Sequence, residues 1–198
     1  MSHPKIILAS RSPARRALMK ELGVPFECHA SDYPEDMTLK KPAHELAIHL
    51  ALGKAEYIAE KFPDSIIIGA DTFIVANGEK IGKPESTEDA KRIIRLMSDN
   101  IIQVISGIVT VQTDNKGAIK GGLLGHATTH LKIMNLTEKD IKFLAEQENA
   151  LQISGAFSIE GEGGKFVEKI EGDYNNVIGL PIFQLREMLE KLGVKLPS

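Results

Sequence analysis

Asp71 stands inside an apolar run, Ser65-Ile66-Ile67-Ile68-Gly69-Ala70-Asp71-Thr72-Phe73-Ile74-Val75. A β-branched stretch of this kind reads as a buried strand. A carboxylate there is costly unless a partner compensates it. Two readings stand side by side. Asp71 is a structural acid at a strand end, bonded to a neighbouring backbone amide, or it is a base that activates water. Lys54 falls on the apolar stripe formed by Leu46, Ala47, Leu50 and Ile58 at helical spacing. It either snorkels to water or aims an ammonium into a cleft. Gly82-Lys83-Pro84 puts another lysine in a tight turn soon after the Asp71 strand, either solvated or placed for chemistry. Glu35 and Asp36 are adjacent acids in a polar segment. Such pairs are loop surface, or oxygen ligands for a hard divalent cation.

The stretch Ala9-Ser10-Arg11-Ser12-Pro13-Ala14-Arg15-Arg16 has the parts of an anion site: hydroxyls, the amides of a helix N-terminus and guanidinium groups. The alternative is an ordinary N-cap with solvated arginines. Other chemistries drop out. Gly161-Glu162-Gly163-Gly164-Lys165 is glycine-rich but lacks Walker A spacing. There is no G-x-S-x-G elbow and no H-E-x-x-H helix. His126 and His130 lie in an expected strand, where that spacing separates them by about 13 Å. His44 and His49 are five residues apart on a helix and share no face.

The elements that must position these residues follow from patterning. Lys5 to Ala9 is a short strand, and Ser12 as N-cap with Pro13 at the first helical position starts a helix that Gly23 stops. Pro25 to Cys28 is a second strand, and Ser31 to Lys41 is polar and irregular. A long helix runs from Pro42 or Ala43 towards Lys61. After the Asp71 strand come a turn at Asn77-Gly78, a helix over roughly Glu88 to Met97, and a strand from Gln103 to Gln112. A turn at Asp114 to Gly117 leads to a return strand from Gly125 to Met134. Thr137 to Asn149 is a helix with a capping pattern at Thr137 and Asp140, and Pro181 to Leu192 is a last amphipathic helix. The class is α/β with a mixed sheet.

The whole chain bounds the function. Its 198 residues, 42% hydrophobic, suit one compact domain or two lobes around one core. A net charge of -3 offers no basic excess for bulk nucleic-acid binding. The single cysteine, Cys28, builds no intrachain disulfide, zinc or iron–sulfur site and fits a reducing compartment. The start, Met1 to Ala9, has an apolar run too short for a signal sequence or a membrane span, so a soluble cytoplasmic protein is expected.

Together, three blocks resemble the Maf family of nucleoside triphosphate pyrophosphatases across nearly the whole chain. They are Leu8 to Arg16; Gly69-Ala70-Asp71-Thr72 with Gly82-Lys83-Pro84; and Ser154-Gly155-Ala156-Phe157 with Glu160-Gly161 and Glu171 to Pro181. The resemblance implies a fold like that of inosine triphosphate pyrophosphatases: a mixed twisted sheet flanked by helices, with two lobes of a single domain, residues 1–198, around a deep cleft. It implies a homodimer, a divalent metal (Mg²⁺ or Mn²⁺), and hydrolysis of a nucleoside triphosphate to a monophosphate and pyrophosphate. By motif position, Asp71 is the general base, Glu35 helps hold the metal, Arg15, Lys54 and Lys83 surround the triphosphate, and Ser10 sits in the phosphate loop. The function implied is removal of modified or unwanted nucleotides. A non-catalytic nucleotide-binding regulator of cell division is the other class to weigh.

Three positions associated with base preference in the family are Ala14, Thr72 and Glu160 here. The dTTP/UTP branch typically carries Arg, Thr and Gln there, and the 7-methyl-GTP branch Trp, Gln and Glu. Thr72 points to the first branch, Glu160 to the second, and Ala14 to neither. Ile153 and Ile102 stand where the pyrimidine type usually has lysine and histidine. Glu160 would accept hydrogen bonds from a guanine-type N1–H and 2-amino edge. The expectation leans to 7-methyl-GTP or another purine-type triphosphate, with dTTP and UTP as the alternative.

Overall fold

A computed structural model describes residues 4–197, so Met1, Ser2 and His3 of the N-terminal reading lie outside the described residues, as does Ser198. Seven strands and six α-helices follow one another along the described chain: β1 (Lys5–Leu8), α1 (Pro13–Lys20), β2 (Glu27–Cys28), α2 (Ala43–Ala59), β3 (Ser65–Ala76), β4 (Glu79–Ile81), α3 (Thr87–Met97), β5 (Ile101–Thr113), β6 (Ile119–Ile133), α4 (Glu138–Ala145), β7 (Val167–Glu171), α5 (Tyr174–Ile178) and α6 (Ile182–Lys191). The strands form one mixed sheet in the order β2-β1-β3-β5-β6-β7, with β4 paired to β3. β1 runs parallel to both β2 and β3, whereas the β3–β4 and β6–β7 pairs are antiparallel.

The chain divides into two compact units, each gathered from separate stretches. The first comprises Met1–Asp71, Ser106–Ala127 and Gly179–Ser198, and the second comprises Thr72–Ile105 and Thr128–Ile178. β3, β5 and β6 therefore contribute residues to both.

In the first unit, β1 pairs with β3 in register from Lys5–Ser65 to Leu8–Ile68. β3 is buried along almost its whole length, in keeping with its largely apolar composition. The α2 stripe packs Ala51, Ala55 and Ile58 against Ile7, Ile67, Val109 and Val111. Helix and sheet approach unusually closely at two glycines. A Cβ on Gly69 would lie 2.0 Å from the Ala51 carbonyl oxygen, and one on Gly107 would lie 2.1 Å from that of Ala47. Any side chain at either position would push α2 off the strands.

In the second unit, α3 and α4 cover a core of Ile93, Ile94, Met97, Ile102, Leu131, Ile133, Ile141 and Leu144. α4 begins with the expected capping box: Thr137 Oγ1 accepts from the Asp140 amide at 3.3 Å, and the Asp140 carboxylate accepts from the Thr137 amide at 3.0 Å. Buried Asn176, in α5, donates to the Val104 carbonyl and to Thr129 Oγ1, each at 3.0 Å. Thr129 Oγ1 in turn donates to the Asp173 carbonyl at 2.9 Å. The Asp173–Asn176 part of the C-terminal motif thus ties its own turn to β5 and β6.

Patterning locates most elements but misjudges several ends. β6 starts at Ile119, six residues before the expected Gly125, because its first half is an exposed ladder with no apolar alternation to mark it. β7 is exposed along nearly its whole length and carries no apolar signal. β2 is only two residues long, because Pro25 lies just before it and a proline cannot donate to the ladder. Gly69→Ala and Gly107→Ala are each expected to lower the unfolding free energy by about 1–3 kcal/mol in urea titrations. Gly82→Ala, where a Cβ meets nothing within 4 Å, should stay within about 0.5 kcal/mol. Losses at Gly69 and Gly107 no larger than that would refute the close approach of α2.

Candidate active site

The first unit gathers three of the expected site residues at one point. Lys54 lies deep in α2 and is 8% exposed, although it is charged and sits on the apolar stripe. The stripe aims it at β3, where Asp71 is 5% exposed. The Lys54 ammonium donates to Asp71 Oδ1 in a buried ion pair. It also meets Glu35 Oε1 at 2.8 Å, and the Glu35 side chain remains 49% exposed. Among the described residues, the partner shown for the Asp71 carboxylate is this ammonium, where a strand-end acid would have a neighbouring backbone amide. Asp71 has a cation supplied from a different element.

Arg15 comes to the same neighbourhood from α1. Ser12 caps that helix, its Oγ accepting from the Arg15 amide at 3.3 Å. The Arg15 guanidinium donates through Nε to the Gly179 carbonyl at 2.8 Å. Gly179 has φ 122°, a backbone conformation open mainly to glycine. Burial pushes the Arg15 pKa down, while the charges of Asp71 and Glu35 push it up. An arginine stays protonated through shifts of this kind, so Arg15 adds a fixed positive charge facing the two carboxylates.

Ser10 is buried at the end of the first strand, and its Oγ accepts from the Ser12 amide at 3.1 Å. The Ser10 amide donates to the Leu8 carbonyl at 2.9 Å. The amides of Ser10, Ser12 and Arg15 are thus satisfied within the loop. The Ser10 hydroxyl hydrogen and the guanidinium groups are among the donors the loop can offer an anion. Ala14 is half-buried on α1, one residue before Arg15.

The remaining expected residues belong to the second unit. Thr72 follows Asp71 on β3 and is half-buried. Lys83 is exposed in a bend after β4, a short strand that sequence patterning does not foresee. Ser154-Gly155 ties these two regions together: Ser154 Oγ donates to the Thr72 carbonyl at 3.0 Å, and the Gly155 amide donates to the Gly82 carbonyl at 3.1 Å. Gly155 (φ 80°) and Ala156 (φ 69°) are consecutive left-handed residues. For alanine this conformation costs roughly 1–2 kcal/mol, which the clasp and the burial of Ala156 must offset. Glu160 is exposed just before a short 3₁₀ stretch, Gly161–Phe166, so the glycine-rich segment is no phosphate loop.

Three further residues lie against the site residues without standing among the expected ones: Gly179, whose carbonyl receives Arg15, and Tyr33 and Gly53, which pack on each other next to Lys54. A Cβ on Gly53 would lie 2.2–2.6 Å from three carbons of the Tyr33 ring. A glycine in the middle of a helix costs about 1 kcal/mol relative to alanine. That cost is a readable signal that something packs closely there.

Residues 5–192 match the Maf-like protein family. The chain belongs to the Maf family. Among its relatives, a protein of Syntrophotalea carbinolica named 7-methyl-GTP pyrophosphatase is 38% identical over 96% of this chain and 95% of its own length. A protein of Ruminiclostridium cellulolyticum named dTTP/UTP pyrophosphatase is 36% identical over 96% of this chain and 97% of its own. One of Alkaliphilus metalliredigens with that same name is 38% identical over 94% of this chain and 95% of its own. Among solved structures, a HAM1 protein from Coxiella burnetii superposes with a TM-score of 0.51 at 16% identity, covering 96% of this chain and 100% of that one, a likeness of fold. The expected α/β class and the family assignment both stand. The Maf chain is an enzyme of the pyrophosphatase class that its relatives' names share.

Lys54→Met leaves Asp71 buried without its cation and should cost about 3–5 kcal/mol in denaturant unfolding. The double variant Lys54→Met/Asp71→Leu should recover much of that loss, because the uncompensated charge is gone. Strictly additive losses would show that the pair is not energetically coupled.

Proposed function

We propose that this Maf protein hydrolyses a nucleoside triphosphate to the monophosphate and pyrophosphate, with Asp71 as the general base. The observation that carries the reading is the convergence of the Asp71 and Glu35 carboxylates on the buried Lys54 ammonium, with Arg15 acting electrostatically on both. Water must attack the α-phosphorus of a polyanion, and cations must screen that charge. Lys54 and Arg15 supply positive charge in a partly desolvated setting, where it acts most strongly on a developing phosphoryl charge. Lys54 also fixes the Asp71 carboxylate in one place, so a water hydrogen-bonded to its other oxygen is oriented as well as deprotonated. Lys83 and Ser10 serve as further phosphate contacts in this reading.

The donor set suits a divalent cation. The Glu35 carboxylate gives one oxygen to Lys54 and is half-exposed, which leaves a hard oxygen ligand available, and Mg²⁺ is commonly held by one or two carboxylates together with substrate phosphates. Among the described residues there is no group of three or more His, Cys, Asp or Glu that could form a cage, and such a site does not need one. Glu35 would help hold Mg²⁺ or Mn²⁺ together with substrate phosphates. Bound there, the ion would supply Lewis-acid charge stabilisation of the phosphoryl oxygens.

For the base, the reading is a guanine-type triphosphate, 7-methyl-GTP included. Glu160 is an exposed carboxylate whose oxygens only accept hydrogen bonds, matching the N1–H and 2-amino edge. Ala14 leaves room where a larger side chain would stand. A second reading, dTTP and UTP, is favoured by Thr72 and by the names of the Ruminiclostridium and Alkaliphilus relatives. The physiological role in this reading is removal of modified or unwanted nucleotides by a cytoplasmic homodimer of a single Maf domain. No helix among the described residues is long and apolar enough to cross a membrane.

Asp71→Asn should lower pyrophosphate release by at least about 10²-fold, the scale of a lost general base. Triphosphate binding, followed calorimetrically, should survive. Normal turnover by that variant removes Asp71 from the mechanism. A panel of 7-methyl-GTP, GTP, ATP, UTP and dTTP assayed for pyrophosphate release decides the base. Preference for UTP and dTTP over every purine overturns the guanine-type reading, and release from none of them leaves the regulator class.

A further inference from the structure

We infer that Tyr33 is a positioning residue: its ring, seated on the bare backbone of Gly53, holds Glu35 against Lys54 and Asp71. The inference rests on the proposed role of Glu35 as a metal ligand. The Ser31 to Lys41 segment is irregular. Bonds such as Tyr33 N–H to Ser31 Oγ at 3.2 Å and Thr38 N–H to Asp36 Oδ1 at 2.9 Å shape local turns and do not tie it to α2. The Lys54–Glu35 ion pair is too exposed on the Glu35 side to anchor the segment by itself, because half-solvated ion pairs stabilise little.

The Tyr33 ring anchors the segment on α2. Gly53 is buried in the middle of α2 and immediately precedes Lys54, so ring seat and ammonium are consecutive residues of one helix. A Cβ at Gly53 would meet Tyr33 Cζ, Cε1 and Cε2 at 2.2, 2.5 and 2.6 Å, so the aromatic edge occupies the space any other residue would fill. The Tyr33 hydroxyl reaches His49 Nε2 on the same helix at 3.4 Å, which sets the direction of the ring. At the other side of Tyr33, Asp32 is paired with Arg11 of the phosphate loop at 2.5 Å. Glu35 follows Tyr33 by two residues and is thereby delivered to Lys54. The helix keeps an unfavourable glycine at the seat of the ring, and Tyr33 stands two residues before the acid that meets Lys54.

The test reads metal affinity directly. Mn²⁺ binding is titrated by electron paramagnetic resonance in the presence of inorganic tripolyphosphate, which carries no base. The proteins compared are the wild type and the variants Tyr33→Ala, Tyr33→Phe, Gly53→Ala, Glu35→Gln and Tyr33→Ala/Glu35→Gln. Tyr33→Ala and Gly53→Ala should weaken Mn²⁺ on the order of ten-fold, the scale for residues that orient a ligand. Tyr33→Phe, which keeps the ring, should stay within about two-fold of wild type. Adding Tyr33→Ala to Glu35→Gln should cause no further loss, since the ring acts through that carboxylate. Wild-type affinity in Tyr33→Ala and Gly53→Ala, losses that multiply in the double variant, or no Mn²⁺ binding by the wild type each overturn the inference. Failure of the pyrophosphatase reading looks different: the same Mn²⁺ pattern with no pyrophosphate released from any nucleotide.

Discussion

Lys54 meets Asp71 in a place where neither charge could stand alone. An acid inside a buried β-branched strand requires compensation, and an ammonium on the inner stripe of a helix requires the same. Each supplies what the other lacks, on the condition that α2 lies close enough to β3 for the lysine to reach. That condition is met by Gly69 and Gly107, whose missing side chains let the helix backbone settle almost onto the strands. A pair of glycines in the sheet and a pair of charges between the layers are therefore one device. With the lysine fixed, a second carboxylate, Glu35, and a cationic arginine, Arg15, can be arranged around the same point.

The other motif residues have different tasks, which ordering along the chain does not reveal. Ser154 and Gly155 stitch Thr72 to the Gly82 turn and hold a strained alanine beside them. Asp173 and Asn176 close a hydrogen-bonded knot with Thr129 and the Val104 carbonyl. Gly179 presents its carbonyl to Arg15. A block such as Glu171 to Pro181 thus mixes residues that build the fold with one that aims a guanidinium. Backbone carbonyls and buried amides do this work, and they have no side-chain signature of their own.

Residues whose role follows from local rules are legible in the order of the amino acids. Ser12 and Thr137 cap helices because their hydroxyls reach the amides of the first turn. Lys54 is conspicuous because a charge stands at an apolar position of a 3.6-residue period, and Asp71 because it interrupts a β-branched run. Exposed strands are not legible in this way. β7 and the first half of β6 are held by ladder hydrogen bonds and bury little apolar surface, so no alternation marks them. Lys83 also reads incompletely, since β4 intervenes between it and the Asp71 strand.

The α/β class, the family and the candidate site residues can be read from the order of the amino acids, because period, capping and ordered motifs are local properties of the chain. That Asp71 pairs with Lys54, and that Glu35 shares the same ammonium, is visible in the folded chain alone. The fold also shows what Gly53 accommodates within the unbroken helix α2, namely the Tyr33 ring. The physical reason is distance along the chain. Pairings between residues separated by many positions depend on how closely helix and sheet approach, and that approach is set by side chains that are absent as much as by those that are present.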